Sequence, residues 1–201
     1  MKQLIFILGL CSWLFAACDD DDRIDCTIWI EDEHNHHLPA YTQWGYNTFG
    51  ARVNDGYFVS QRYGYRSACR FESENDTLSF ELIGYNSYYY YDDNIISSIS
   101  FIFEHPHVID YGELKSLSNK TLDLASEDVF VGIKTKDSDK QLIVERGTLK
   151  FNNVLILRID EEEEEAVVSG TFEIYGRTDD GEKYHITKGR FDLGVSERNL
   201  F

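Results

Sequence analysis

Residues 168–195 read VSGTFEIYGRTDDGEKYHITKGRFDLGV, and their pattern decides the fold. Val168, Gly170, Phe172 and Ile174 alternate with Ser169, Thr171 and Glu173, which places one apolar and one polar face on an extended strand. Thr178-Asp179-Asp180-Gly181 supplies a turn, and Tyr184 and Ile186 carry the alternation back. Beyond Lys188-Gly189 the phase slips, because Phe191, Leu193 and Val195 stand at odd positions. A strand that keeps its apolar side inward through such a slip needs one extra residue. The spacing therefore predicts a β-bulge near Lys188-Gly189.

The same period of two runs outward from this hairpin. Phe49, Ala51 and Val53 alternate, Asn54-Asp55-Gly56 turns, and Tyr57 and Val59 return; Asp-Gly between alternating runs is a hairpin signal. Cys69 and Phe71, then Leu78, Phe80 and Leu82, then Ile95, Ile99, Phe101 and Phe103 continue the pattern. Strands are also expected at Cys26 to Ile30, Val129 to Ile133, Leu142 to Val144 and Leu149 to Ile159. Glu113 to Ser118 predicts a single helical turn, and nothing else reads as helix beyond two turns. The expected fold is all-β: about ten short antiparallel strands in a β-sandwich or a flattened barrel.

The opening of the chain carries an address. Lys2 precedes an apolar run from Leu4 to Ala17, too short to span a bilayer, and small residues then lead to Cys18. Phe15-Ala16-Ala17-Cys18 resembles the lipobox of bacterial lipoproteins, with Phe15 where that box has Leu or Val. The resemblance implies cleavage before Cys18 and acylation of Cys18 by palmitate-type chains, hence a lipid anchor on the cell outer membrane. Asp19 to Asp22 form a solvated tether, and an acidic run directly after the cysteine is similar to the export signal of surface lipoproteins in the Bacteroidota. That likeness implies display to the exterior. The expected organisation is a signal peptide over 1–17, an acylated acidic tether over 18–25 and one all-β domain over 26–201. Ser169 to Ile174 with Ile186 to Asp192, and Asn47 to Gly50 with the turn at Asn54, also resemble the two ends of Bacteroidota lipoprotein domains. Those families carry no established catalytic residues, so no chemistry is implied. Asp76-Thr77-Leu78 matches a short O-glycosylation pattern of such bacteria.

Charge and cysteines narrow the partners. A net charge of −17, moving to −18 once Lys2 leaves with the signal, repels nucleic acid and an anionic membrane surface. No nucleic-acid partner is expected, and membrane attachment falls to the lipid. Cys26 and Cys69 both fall on the apolar side of strand-like runs, so they are expected to face one interior, either as a disulfide or as two buried thiols.

Candidate sites are few. His34, His36 and His37 stand beside Glu31, Asp32 and Glu33, and His105 and His107 offer further ligand types. Neighbours this close on an extended loop cannot all converge on one ion, so Glu31 to Pro39 is read as a solvated polar loop and no metal is expected. The six carboxylates Asp160 to Glu165 lack the glycine and asparagine that bend a calcium loop, and read as a solvated hairpin tip. Tyr88, Tyr89, Tyr90 and Tyr91 followed by Asp92 and Asp93 form the candidate ligand contact: rings for stacking on a sugar, carboxylates to accept from its hydroxyls. The alternative is a loop whose tyrosines fold back over the sheet edge. No nucleophile elbow, zinc-protease helix, phosphate loop or dinucleotide fingerprint is present. The expected role is non-enzymatic, with no cofactor: a binding or accessory module for a glycan or a protein partner. A carbohydrate-active hydrolase or a protein adaptor or inhibitor stands as the alternative.

Overall fold

The computed structural model describes residues 27–60, 67–74, 77–86, 96–106, 114–135, 138–160 and 163–196. Ten strands appear there: β1 (Thr48–Val53), β2 (Gly56–Ser60), β3 (Ala68–Glu74), β4 (Thr77–Tyr85), β5 (Ser98–Pro106), β6 (Thr121–Asp123), β7 (Val129–Lys134), β8 (Asp139–Asp160), β9 (Glu163–Thr178) and β10 (Lys183–Ser196). They join in the order β2-β1-β10-β9-β8-β7-β5-β4-β3, with β6 paired to β8, and every pairing is antiparallel. The 3-10 turn Lys115–Leu117 occupies the place expected for one helical turn. The all-β class and the flattened, nearly closed architecture agree with the sequence.

The strands are not uniformly short. The two segments expected at Leu142 to Val144 and Leu149 to Ile159 are one 22-residue strand, β8. Its beginning pairs with β7, through Gly132↔Gln141, and nearly its whole length pairs with β9. Register shifts at Val144/Arg146, Phe151/Asn153 and Arg158/Asp160 let it bend, which is how one strand serves both halves of the sheet. The halves then face each other across aromatic rings. Phe101 of β5 meets Phe172 of β9 edge-on at 5.1 Å, and Phe103 meets Phe151 at 5.9 Å. Phe49 of β1 lies 5.2 Å from Phe172. At Gly84 of β4 a Cβ would sit 2.3 Å from the Phe49 ring, so glycine lets the far end of the sheet close over β1.

The bulge falls where the phase slip put it. Ile186 pairs with Ile174 and Gly189 with Phe172, leaving Thr187 and Lys188 opposite Glu173 alone. The division of labour differs from expectation. Lys188 takes the positive φ, 52°, while Gly189 is needed because a Cβ there would lie 2.5 Å from the Phe172 ring. Two other expectations are corrected. The β1–β2 loop is Asn54-Asp55, closed by the pair Val53↔Gly56, and Asn54 takes the positive φ of 50°. The inward residue of β2 is accordingly Phe58, paired with Ala51, while Tyr57 points outward.

Thr27 to Ile30 form no strand, and Ile28 and Ile30 are 42% and 48% exposed, so the alternation read there buries nothing. This segment opens a strap over 27–47 that crosses the outer face of β1, β10 and β9. Its Pro39 packs on Gly50, its Gly45 packs on Val167, and Leu38 is fully buried. Without it, Val167, Ser169 and Asp192 would face water.

Candidate functional site

The strap is held by two charged residues of β10 that point away from the apolar core. The first is Asp192, 1% exposed and flanked in sequence by core residues Phe191 and Leu193. Its carboxylate accepts from the backbone N–H of Trp44 (3.1 Å), Gly45 (2.8 Å) and Tyr46 (3.2 Å), and from the Thr42 hydroxyl. The chain can wrap a single carboxylate this way because Gly45 adopts φ 76°. One residue further, Asn47 at φ 53° accepts from the N–H of Gly194 at 2.8 Å. A buried charge is tolerated when its oxygens are hydrogen-bonded, and three main-chain donors meet that condition here.

The second is Arg190, which pairs with Asp32 and donates to the Pro39 carbonyl at 3.1 Å. Asp32 also accepts from the N–H groups of His34 and Asn35, each at 2.8 Å. Burial works against the Asp32 charge, yet the Arg190 guanidinium and those N–H groups outweigh it and hold the carboxyl down to about 2. The Glu31–Pro39 loop is solvated as expected at Glu31, Glu33, His34, His36 and His37, while the Asp32 contacts and the Glu31↔Pro39 bridge organise it as a clasp.

Between strap and sheet, at the β10 bulge, lies an open cleft of about 440 Å³. Tyr41 and Asn35 of the strap form one wall, and Thr148, Thr171, Glu173 and Lys188 of the sheet form the floor and the other wall. The Tyr41 hydroxyl is fixed by Asn152 at 2.8 Å and Gln43 at 3.1 Å. Lys188 donates to Asn35 across the cleft mouth. Along the sheet, in the next rung, Tyr175 is sandwiched: the Arg146 guanidinium lies 3.8 Å from its ring centre and the His185 ring 4.0 Å away. Trp44, at the crest of the strap, is 71% exposed.

A second recess of about 230 Å³ lies at the β1–β2 end, lined by Tyr57, Phe58, Asn86, Ile96, Glu182 and Tyr184. Burial and the neighbouring Glu182 raise the Tyr184 phenol to about 12. Asn86 and Ile96 are tied by a 3.1 Å hydrogen bond and stand on either side of residues 87–95.

The residues singled out in the sequence meet the structure unevenly. Cys18, Cys26, Tyr88, Tyr89, Tyr90, Tyr91, Asp92, Asp93 and His107 lie outside the described residues. Cys69 is fully buried as a free thiol, and burial raises its pKa well above the usual value. Among the described residues no three His, Cys, Asp or Glu side chains gather as a metal site, and no helix is long and apolar enough to cross a membrane. The cleft residues Tyr41, Thr148, Thr171, Glu173 and Lys188 were not legible as a group. Their alternation marks them only as outward-facing, and the strap that turns this face into a cleft has no periodic pattern. Comparison with family models, with curated proteins and with solved structures finds no match to this chain.

Proposed function

We propose that this protein is a lipoprotein anchored to the outer membrane through Cys18, facing outward, and that it acts as a binding module for a glycan held in the cleft between the strap and strands β8 to β10. The carrying observation is the composition of that cleft. Its described lining offers the rings of Tyr41, with its fixed hydroxyl, and Phe172, the hydroxyls of Thr148 and Thr171, the Asn35 amide, the cations Lys188 and Arg190, and one carboxylate, Glu173. Sugar sites combine a ring surface with a few convergent polar groups. Retaining and inverting hydrolysis both use a pair of carboxylates facing one substrate, and the described residues that line this cleft include one, Glu173, which supports binding over cleavage.

The test uses the full acylated chain in detergent against a glycan panel. Thr148→Trp fills the cleft floor without touching the strap contacts and should weaken a bound oligosaccharide at least tenfold. Tyr89→Ala with Tyr91→Ala tests the aromatic segment as the rival contact: a glycan stacked there would lose two contacts of about 1 kcal/mol each, about tenfold or more, whereas a glycan held in the cleft would not. Unchanged binding in Thr148→Trp moves the site away from the cleft. Release of shorter sugars would show a hydrolase, and binding to no glycan would leave the protein adaptor ahead. Replacement of Cys18 by alanine should release the protein from the membrane fraction, and full retention would overturn the anchor.

A further inference from the structure

We infer that the ligand of this face is an acidic glycan, one bearing carboxylate or sulfate groups, read by basic side chains that flank the cleft. The inference rests on the glycan reading above and narrows its ligand class.

The chain is strongly acidic, yet the outer face of β1, β10, β9 and β8 is not. Arg52, Arg146, Lys150 and Lys188 all stand exposed on it. Register fixes their places. Arg146 pairs with Tyr175, Thr148 with Glu173 and Lys150 with Thr171, so Arg146 and Lys150 bracket the Thr148 rung on one face of β8. At ~3.4 Å per residue the two are roughly 14 Å apart along the strand, with the cleft between them. Arg52 stands opposite Thr187 on β1, beside the bulge.

Three features distinguish these cations from ordinary surface charge. None of Arg52, Arg146 and Lys150 forms an ion pair among the described residues, whereas Arg190, Arg177 and Lys140 each have an acidic partner. Arg146 is also pre-positioned, its guanidinium laid on the Tyr175 ring at 3.8 Å. A stacked guanidinium keeps its N–H edge free for bidentate contact with a carboxylate or sulfate. Finally, the cleft groups between the cations, Thr148, Thr171 and Asn35, are uncharged donors and acceptors, and the acids beside them are Glu173 on β9 and Asp123 on β6, one on each side of Thr148. That mixture suits a chain of hydroxyl-bearing rings with spaced acid groups. A polyphosphate backbone presents denser charge and fewer hydroxyls, so it meets more repulsion from the rest of this acidic molecule than a sugar chain with spaced acid groups does.

The experiment titrates the full chain in neutral detergent with four probes of similar length: hexagalacturonate, its methyl ester, a heparin hexasaccharide and a single-stranded hexanucleotide. At least one acidic sugar should bind tenfold or more tighter than the neutral ester. Its affinity should fall with added salt and drop at least fivefold in Arg146→Gln with Lys150→Gln, two exposed positions whose change leaves the strap contacts intact. Preference for hexagalacturonate or for heparin separates the carboxylate from the sulfate form. Equal binding of ester and acid would overturn this inference and leave the glycan reading standing. Binding of the hexanucleotide as tightly as the acidic sugars would show a non-selective anion surface and also overturn it, as would no binding by either acidic sugar.

Discussion

The two sides of β10 are held by different physics. Inward, Phe191, Leu193 and Val195 join a seam of phenylalanines from both halves of the sheet, where stability comes from apolar area and close packing. Outward, Arg190 and Asp192 hold the strap through directional, charge-assisted bonds. An apolar seam tolerates small slides of one surface on another. A carboxylate gripped by three consecutive N–H groups has one register only. The inner side thus builds the scaffold, and the outer side fixes where the strap, and hence the cleft wall, must lie.

The largest effect should come from the inner side. Phe172 touches Phe49 and Phe101 across the closure, so Phe172→Ala should cost about 3–5 kcal/mol in denaturant unfolding. A loss under 1 kcal/mol would mean that the halves do not pack through this ring.

Asp192→Ala should cost less globally, about 2–3 kcal/mol, because buried donors lose their acceptor. Its distinctive sign is local. Protease cleavage within 27–47 should accelerate while the near-ultraviolet signal of the core aromatics persists. Cleavage and core loss that rise together would show strap and core to be one cooperative unit.

Acid should separate the two sides further. Asp32 has a folded pKa of about 2, below the ordinary carboxylate value of about 3.9. A depressed folded pKa contributes stability above the unfolded value and loses it as pH falls through the folded one. The clasp should therefore weaken between about pH 4 and pH 2, and Asp32→Asn should flatten that part of the stability curve. Asp180, held at about 2 by Lys140 and by Thr178, titrates in the same window, so Asp180→Asn serves as the comparison. If Asp32→Asn leaves the acid limb unchanged, the Asp32–Arg190 pair does not hold the strap.

The smallest expected change lies at the β1–β2 turn. Asn54→Ala forces a non-glycine residue without a side-chain amide into φ 50°. It also removes the 2.8 Å bond from the His185 N–H, at about 1–2 kcal/mol together, while Asn54→Gly should recover the backbone part. Equal loss in both would assign the whole effect to the hydrogen bond.

What could be read from sequence follows the same division. Strands β9 and β10 and their bulge were legible because a period of two records which side meets the core, and the phase slip at Lys188-Gly189 records the extra residue. The length of β8 was not, since the bulges that bend it break the alternation at Glu145 and Asn152 and imitate strand ends. The strap escaped for a related reason. It is fixed by hydrogen bonds from its main chain, which leave no mark in side-chain hydropathy. Asp192 between Phe191 and Leu193 reads as an ordinary outward residue until something covers it. The cleft inherits that blindness, because one of its walls is the strap.

The position of the Asp192 clamp has a mechanical consequence. With Cys18 as the proposed anchor, the strap lies in series between membrane and sheet, so a pull on bound ligand reaches Thr42 to Tyr46 before it reaches any strand pairing. The N–H groups of Trp44, Gly45 and Tyr46 share one acceptor and so yield as a unit. Their release, with that of the Asp32–Arg190 clasp nearer the anchor, would pay out the 27–47 segment, up to about 70 Å of chain at ~3.3 Å per residue, with the sheet still folded. Single-molecule extension from the N-terminus should show that step ahead of unfolding, and Asp192→Ala should lower its force. With the proposed anchor, the strap would work as a strain relief, letting the domain lengthen its leash under drag instead of losing its fold.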